Sequence, residues 1–486
     1  MKQRDQDTLL SGLGTLTRGN VIPGAEADSY LQEWRRLWPG QCLAVVRPGS
    51  TEEAADIVRF CQEHALPVVP QGGNTGLVGG QSPQDERSVV ISLERMKRIG
   101  PVNAQAATLY TQAGATLSEV QEAAREVGML FPVSMASEGS AQVGGAISTN
   151  AGGISVLAYG TMRERVLGLE VVLPDGRIWN GQRALRKDNT GYDLKQMFMG
   201  AEGTLGLITG AVLRLAPAPK DRVTLWLAVE TAEDAVSLFH RLSGACGPAL
   251  TSFELISAAA LDLAFRHNSA LRAPVGARTE YHVLAEISIF ETIPAEDLAM
   301  AALGPALENG TVADAALATS GGQRAAMWAL REALPEAQAA PRAQIKHDVT
   351  LPVAAIPEFL LRAGQAVETC MPGIRPVPFG HLGDGNLHYN LLAPEGMDTE
   401  AFAPHTSRIC QAVYDIVQTM DGSISAEHGI GRLKRELLAM TKSDVELSLM
   451  RTLKHSLDPK GIMNPGILLD PKSMDRFETG VNTAGR

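Results

Sequence analysis

Two short stretches far apart in the chain carry the residue types of metal and acid–base chemistry. FGHLGDGNLHYNLL (379–392) sets His381 before a Gly-Asp-Gly turn and His388 in the strand that follows, with Asn390 on the same face by the two-residue alternation of a strand. SAEHGIGRLKRELL (425–438) supplies adjacent Glu427 and His428, backed by the helical spacing of Leu433, Leu437 and Leu438. Two neutral imidazoles and one carboxylate form an open coordination set for zinc or a similar divalent ion, with positions left for a substrate. Each histidine alone reads more readily as structural, and the spacing leaves both readings open. MWALREALPEAQ (327–338) and AQIKHDVTLPV (343–353) add Arg331 and Lys346. A planar guanidinium meets a carboxylate bidentately; the alternative is that Arg331 pairs with a glutamate of its own helix.

A second kind of chemistry is written in glycine. After the short apolar strand LPVVP (66–70), QGGNTGLVGG (71–80) holds five glycines in ten residues, too many for a regular element. SEGSAQVGGAISTNAGG (137–153) is a second such stretch. Clustered glycines let backbone N–H groups approach an anion, and a pyrophosphate is the natural occupant, with a merely flexible loop as the other reading. Neither G-x-G-x-x-G opening a helix nor a GK[ST] ending is present, which argues against a Rossmann NAD site and a P-loop.

The elements that must position these residues fall into two textures. Before residue 220 short strands alternate with helices, one of them opened by a Ser50–Glu53 capping box ahead of Ala54, Ile57, Val58 and Cys61. GLEVVLPDGRIW (168–179) predicts a hairpin around Pro-Asp-Gly. From about 221, strands such as VTLWLAVE (223–230) and YHVLAEISIF (281–290) alternate with alanine-rich helical stretches such as ETAEDAVSLFHRL (230–242), a separate α+β region. The last sixty residues read as mainly helical.

The 486 residues, 45% hydrophobic and 20% charged, suffice for two or three cores. A net charge of −11 argues against nucleic acid and against an anionic membrane surface. Five scattered cysteines without a CxxC pair read as reduced thiols. MKQRDQDTLLSGLG lacks the apolar stretch of a signal peptide, and no window approaches the roughly 18 apolar residues of a membrane span, so the expected location is the cytoplasm.

PQGGNTGLVGG, SEGSAQVGGAISTNAGG, LRKDNTGYDL (185–194) and GAEGTLGLIT (200–209) resemble, in register over roughly residues 40–215, the FAD-binding domain of the vanillyl-alcohol-oxidase type. The resemblance implies an α+β fold: a two-subdomain FAD-binding domain (1–220), a substrate or cap domain with an antiparallel sheet (221–424), and a helical C-terminal segment closing on the flavin (425–486). It implies FAD contacts at Pro70, Gly72, Gly73, Asn74, Thr75, Gly76 and Gly79, with Gly139, Ser140, Gly144, Asn150, Gly203, Ile208 and Asn464 around the rest. Members that link FAD covalently have histidine where this chain has Asn74, so dissociable FAD is expected.

The histidine segments resemble those of D-2-hydroxyglutarate and D-lactate dehydrogenases. That resemblance implies metal ligands at His381, His388 and Glu427, a catalytic base at His428, and substrate contacts from Arg331, Lys346, Asn390 and His428. The implied reaction is FAD-dependent oxidation of a D-2-hydroxy acid, with an electron-transfer flavoprotein or another carrier as acceptor and a homodimer as an expected assembly. Two departures stand out: Pro335 occupies a position where hydroxyglutarate-selective members can have threonine, and Ile467 one where many have lysine. A flavin oxidase, a glycolate-oxidase-type subunit, or a non-catalytic subunit that retains the fold are the competing expectations.

Overall fold

The computed structural model describes residues 3–290 and 295–471. The chain divides into two compact units: Met1–Gly153 with Thr161–Pro217 and Glu427–Arg486, and Ile154–Gly160 with Ala218–Ala426.

The first unit is built on two small sheets. In one, Val21–Pro23, Ala44–Val46, Val89–Ser92 and Val68–Gln71 lie side by side, the last three parallel. Parallel strands need a crossover, and the helix Thr51–Glu63 supplies it between Ala44–Val46 and Val68–Gln71. Its N-cap forms as the sequence suggests, Ser50 Oγ accepting the Glu53 N–H at 3.2 Å, but the Glu53 carboxylate turns to the Gly49 N–H, so only half the box closes. The buried stripe Ala54, Ile57, Val58 and Cys61 then fixes where Val68–Gln71 ends, at the first glycine loop.

The other sheet is antiparallel, in the order Thr108–Gln112, Leu207–Arg214, Val166–Val172 and Ile178–Gly181. The predicted Pro-Asp-Gly hairpin is its outer pair. Ile57, Val68, Ile91, Leu109, Ile147, Leu169 and Leu213, all fully buried, belong to one core that joins both sheets. Each such side chain contributes about 1.5–3 kcal/mol by leaving water.

Residues 454–464 of this unit are pinned by a buried ammonium. Lys454, on the helix Asp444–Leu457, donates to the Asp458 carboxylate, Thr204 O and Met463 O at 2.6–2.8 Å. The next residue, Asn464, donates its backbone N–H to Val68 O.

The second unit carries a seven-stranded antiparallel sheet: Asp314–Leu317, Asp221–Val229, Tyr281–Ile289, Leu250–Ser257, Phe379–His381, Asn386–His388 and Val349–Thr350 in spatial order. Its central strands are buried on both faces, which explains why VTLWLAVE and YHVLAEISIF read as nearly continuous apolar runs. The helix Ala232–Cys246 opens with a full Thr231–Asp234 capping box, and Gly321–Glu332 is capped by Ser320.

One expectation needs correction. No helix stands directly behind Glu427 and His428: residues 427–434 are irregular, the helix starts at Arg435, and Leu433 is exposed while Leu438 is buried. Gly429 (φ 80°) and Gly431 (φ 54°) adopt left-handed backbone, where a helix cannot propagate. Among the described residues no helix is long and apolar enough to cross a membrane, and all five cysteines are free thiols.

Candidate active site

Within the first unit the glycine loops wall a cavity partly open to solvent. Pro70, Gly72, Gly73, Asn74, Thr75, Gly76, Gly144, Gly203, Ile208 and Asn464 all line it, as does His428. The loop conformation is enforced at close quarters: a Cβ on Gly73 would sit 1.8 Å from the Ser140 carbonyl oxygen. Asn464 fastens the wall from behind, its amide donating to Gly80 O at 3.0 Å and Glu202 O at 2.7 Å.

Four expected contacts are absent from the cavity lining. Gly79 lies against the Trp38 indole, Asn150 spends its Oδ1 on Thr161 Oγ1 and the Arg163 N–H, and Gly139 and Ser140 are exposed. These residues shape the turns that present their neighbours.

The cavity fits a dinucleotide on an observation of its polar atoms. Asn74 Oδ1 and Gln142 Oε1 are buried in its lining and have no hydrogen-bond partner among the described residues. A buried acceptor left without a donor costs about 1–3 kcal/mol, a cost that hydroxyl and N–H donors of a flavin nucleotide would remove.

Glu202 is one of the residues that sequence reading missed. It sits in GAEGTLGLIT, lines the same cavity, and accepts the backbone N–H groups of Ile430 and Gly431 at 2.8 and 2.7 Å. Burial pushes its carboxyl up to about 7 despite those two N–H groups and the nearby Lys434, which pull the other way. The loop bearing His428 is thus anchored by one buried carboxyl. Glu427 accepts the Gly153 N–H at 2.9 Å, which ties it to the end of the second glycine stretch.

In the second unit the sheet register assembles a side-chain cluster. Leu255 pairs with Gly380 and Ile256 with Phe379, so the next step of the ladder sets Glu254 opposite His381. His381 Nδ1 meets Glu254 Oε1 at 2.6 Å, and Arg331 Nε donates to Glu254 Oε2 at 2.7 Å. The Arg331 guanidinium also stacks on Phe379, 4.8 Å from the ring centroid. Arg331 does pair with a glutamate, though one on a distant strand rather than on its own helix. Burial alone would raise the Glu254 carboxyl; its two partners, His381 and Arg331, outweigh it and hold it below the usual carboxylate range.

His388 pairs in register with Phe379, so its ring shares the face of His381, with centroids 5.6 Å apart. Asn390 departs from the alternation argument. The strand ends at His388, and the Asn390 amide donates to Gln338 Oε1 and accepts the His347 N–H, bracing the chain beside Lys346. Lys346 itself is half-buried in the irregular stretch between Gln344–Ile345 and Val349–Thr350.

Within the second unit the ligand atoms of His381 and His388 lie within 4.8 Å of one another, and so do those of Asp348 and His388. Asp348 was not singled out by sequence. It follows His347 in a stretch otherwise read for its lysine, and its Oδ1 accepts the Asn386 amide at 3.0 Å.

Residues 218–468 match the model of FAD linked oxidases, C-terminal domain, and residues 42–181 that of an FAD binding domain. This chain belongs to the FAD-linked oxidase family. Its relatives in the family include D-2-hydroxyglutarate dehydrogenase of Xanthomonas citri pv. viticola, 38% identical over 446 residues, which span 92% of this chain and 93% of that one. The mitochondrial D-2-hydroxyglutarate dehydrogenase of Rattus norvegicus is 37% identical over 462 residues, spanning 94% and 84%. Among solved structures, 4-ethylphenol oxidase from Gulosibacter chungangensis superposes with a TM-score of 0.73 at 16% identity, covering 96% of this chain and 97% of that one, a likeness of fold. The expected α+β fold with an FAD-binding domain of vanillyl-alcohol-oxidase type is therefore the fold of this family member, and FAD its cofactor.

Proposed function

We propose that the chain oxidises a D-2-hydroxy acid to the 2-oxo acid, with D-2-hydroxyglutarate the first substrate to try, then D-lactate and D-malate. Two observations support this reading: His428, the residue after Glu427, lines the glycine-walled cavity of the first unit, and His381 and His388 bring their ligand atoms within 4.8 Å of each other on the sheet of the second. The names of the two relatives support the choice of substrate.

Bound FAD supplies the hydride acceptor, flavin N5, and dissociable FAD is the expectation from Asn74. His381, His388 and Glu427 would hold a divalent cation, zinc first, whose charge polarises an α-hydroxy carboxylate. His428 takes the hydroxyl proton as the C2 hydrogen leaves as hydride. The terminal amino groups of Arg331 remain as donors for a substrate carboxylate once Glu254 has taken Nε, and Lys346 adds a second positive charge. Pro335 offers no hydroxyl beside Arg331, so the acid's second carboxylate must be met by other groups.

A panel of D-2-hydroxyglutarate, D-lactate, D-malate and glycolate, scored by anaerobic flavin bleaching, tests the substrate. No bleaching by any of them refutes the reading. Steady peroxide release in air identifies an oxidase instead of a dehydrogenase with an electron-transfer flavoprotein or another carrier. Chelation should abolish turnover, and zinc, manganese or cobalt should restore part of it; full activity of metal-free protein returns the three ligands to structural roles. The cytoplasm remains the expected location, which cell fractionation tests.

A further inference from the structure

We infer that Glu254 is a positioning residue for both the metal-ligand histidine and the carboxylate-binding arginine, an inference that rests on the proposed ligand role of His381. Its two oxygens are divided between them: Oε1 to His381 Nδ1 and Oε2 to Arg331 Nε. The side chain is 1% exposed, so water cannot replace either partner.

The consequence for His381 follows from imidazole chemistry. A carboxylate can only accept, so Nδ1 carries the proton and Nε2 keeps its lone pair for a cation. A carboxylate behind a ligating imidazole also raises its basicity and fixes its ring plane. For Arg331 the same carboxylate fixes the guanidinium plane against Phe379 and leaves the terminal amino groups for an anion. One buried side chain therefore sets the tautomer of one partner and the direction of the other.

A second buried carboxylate on the adjacent strand provides the contrast. Glu286 accepts from Thr224 Oγ1, Arg324 and Trp328 Nε1, with no histidine among these partners. Arg324, Trp328 and Arg331 fall at i, i+4 and i+7 on the helix Gly321–Glu332, so one helical stripe serves both carboxylates. Glu286 performs the structural task without the metal-directed one.

The test uses the FAD-loaded protein, stripped of metal by chelation and titrated with zinc against a chromophoric chelator. In Glu254→Gln the amide oxygen is drawn to the cationic Arg331 and its NH₂ faces His381. That drives the imidazole to the Nε2–H tautomer, which cannot bind a cation. Zinc affinity should fall by about 10- to 100-fold with the flavin spectrum unchanged. Glu286→Gln should lower Tm and leave zinc affinity where it was. If Glu254→Gln does not yield yellow protein, Glu254→Asp retains the charge but is one methylene too short to reach both partners, and a weaker drop in zinc affinity is expected. Wild-type zinc affinity in the Glu254 variants overturns the inference while the metal site stands. Absence of zinc binding in the wild type overturns the metal site itself, and the inference with it.

Discussion

The glycine-walled cavity and the face of the seven-stranded sheet are built from different materials. The cavity wall is rich in glycine: its loops bring peptide groups to the surface, and at Gly73 the Ser140 carbonyl oxygen excludes a Cβ. The sheet face is entirely side chain, a carboxylate, an imidazole and a guanidinium held within 2.7 Å contacts and buried. A main-chain wall can be specified by local sequence, because the loop carries its own conformation. A side-chain cluster depends on which strands become neighbours.

His428 is the sharpest exception, a reactive side chain in a main-chain wall. His428→Ala should lower kcat by about 10²- to 10⁴-fold while the protein stays yellow, since the loss is of a base and not of cofactor contacts. Stopped-flow flavin reduction reads it, and near-normal reduction would remove His428 from the mechanism.

Glu202 is a second reactive side chain in this wall, and it makes the wall pH-dependent. Its carboxyl rises from an ordinary 4.5 to about 7 on folding. The folded chain therefore binds this proton more tightly than the unfolded chain, and the stabilisation it brings is present below about pH 4.5 and lost as pH rises through 7. Thermal unfolding from pH 5 to 8 should show wild type losing up to about 3 kcal/mol more than Glu202→Gln. Parallel pH profiles of the two proteins would remove this anchor from the account.

Substitutions in the loops themselves should separate cofactor binding from chemistry. Gly73→Ala places a methyl 1.8 Å from the Ser140 oxygen, so the loop must shift. A cost of about 1–3 kcal/mol is expected, seen as roughly 5- to 100-fold weaker FAD retention in a titration of apoprotein. Gly139→Ala meets nothing within 4 Å and should change stability by less than about 0.5 kcal/mol. Equal effects of the two would mean that the close approach at Gly73 is unimportant.

Much of the first unit was legible residue by residue. LPVVP preceding five glycines, the Ser50 cap and the Pro-Asp-Gly hairpin each contain their own structural cause within a few residues, and the structure keeps them all, the cap in half-closed form. The histidines were legible as types, since His381 and His388 flank a turn that folds them onto one face. Asn390 was not, because the strand stops two residues short of it.

By itself the sequence determined where glycine-rich backbone leaves regular structure and which side chains have reactive chemistry, since glycine content, turn residues and residue type act over a few positions. Only the tertiary structure decided that Glu254, 127 residues before His381, supplies its hydrogen-bond partner, and that Glu202 holds the loop of His428. Such pairings are set by strand order and by the burial that strips competing water, and neither is encoded near the residues they join.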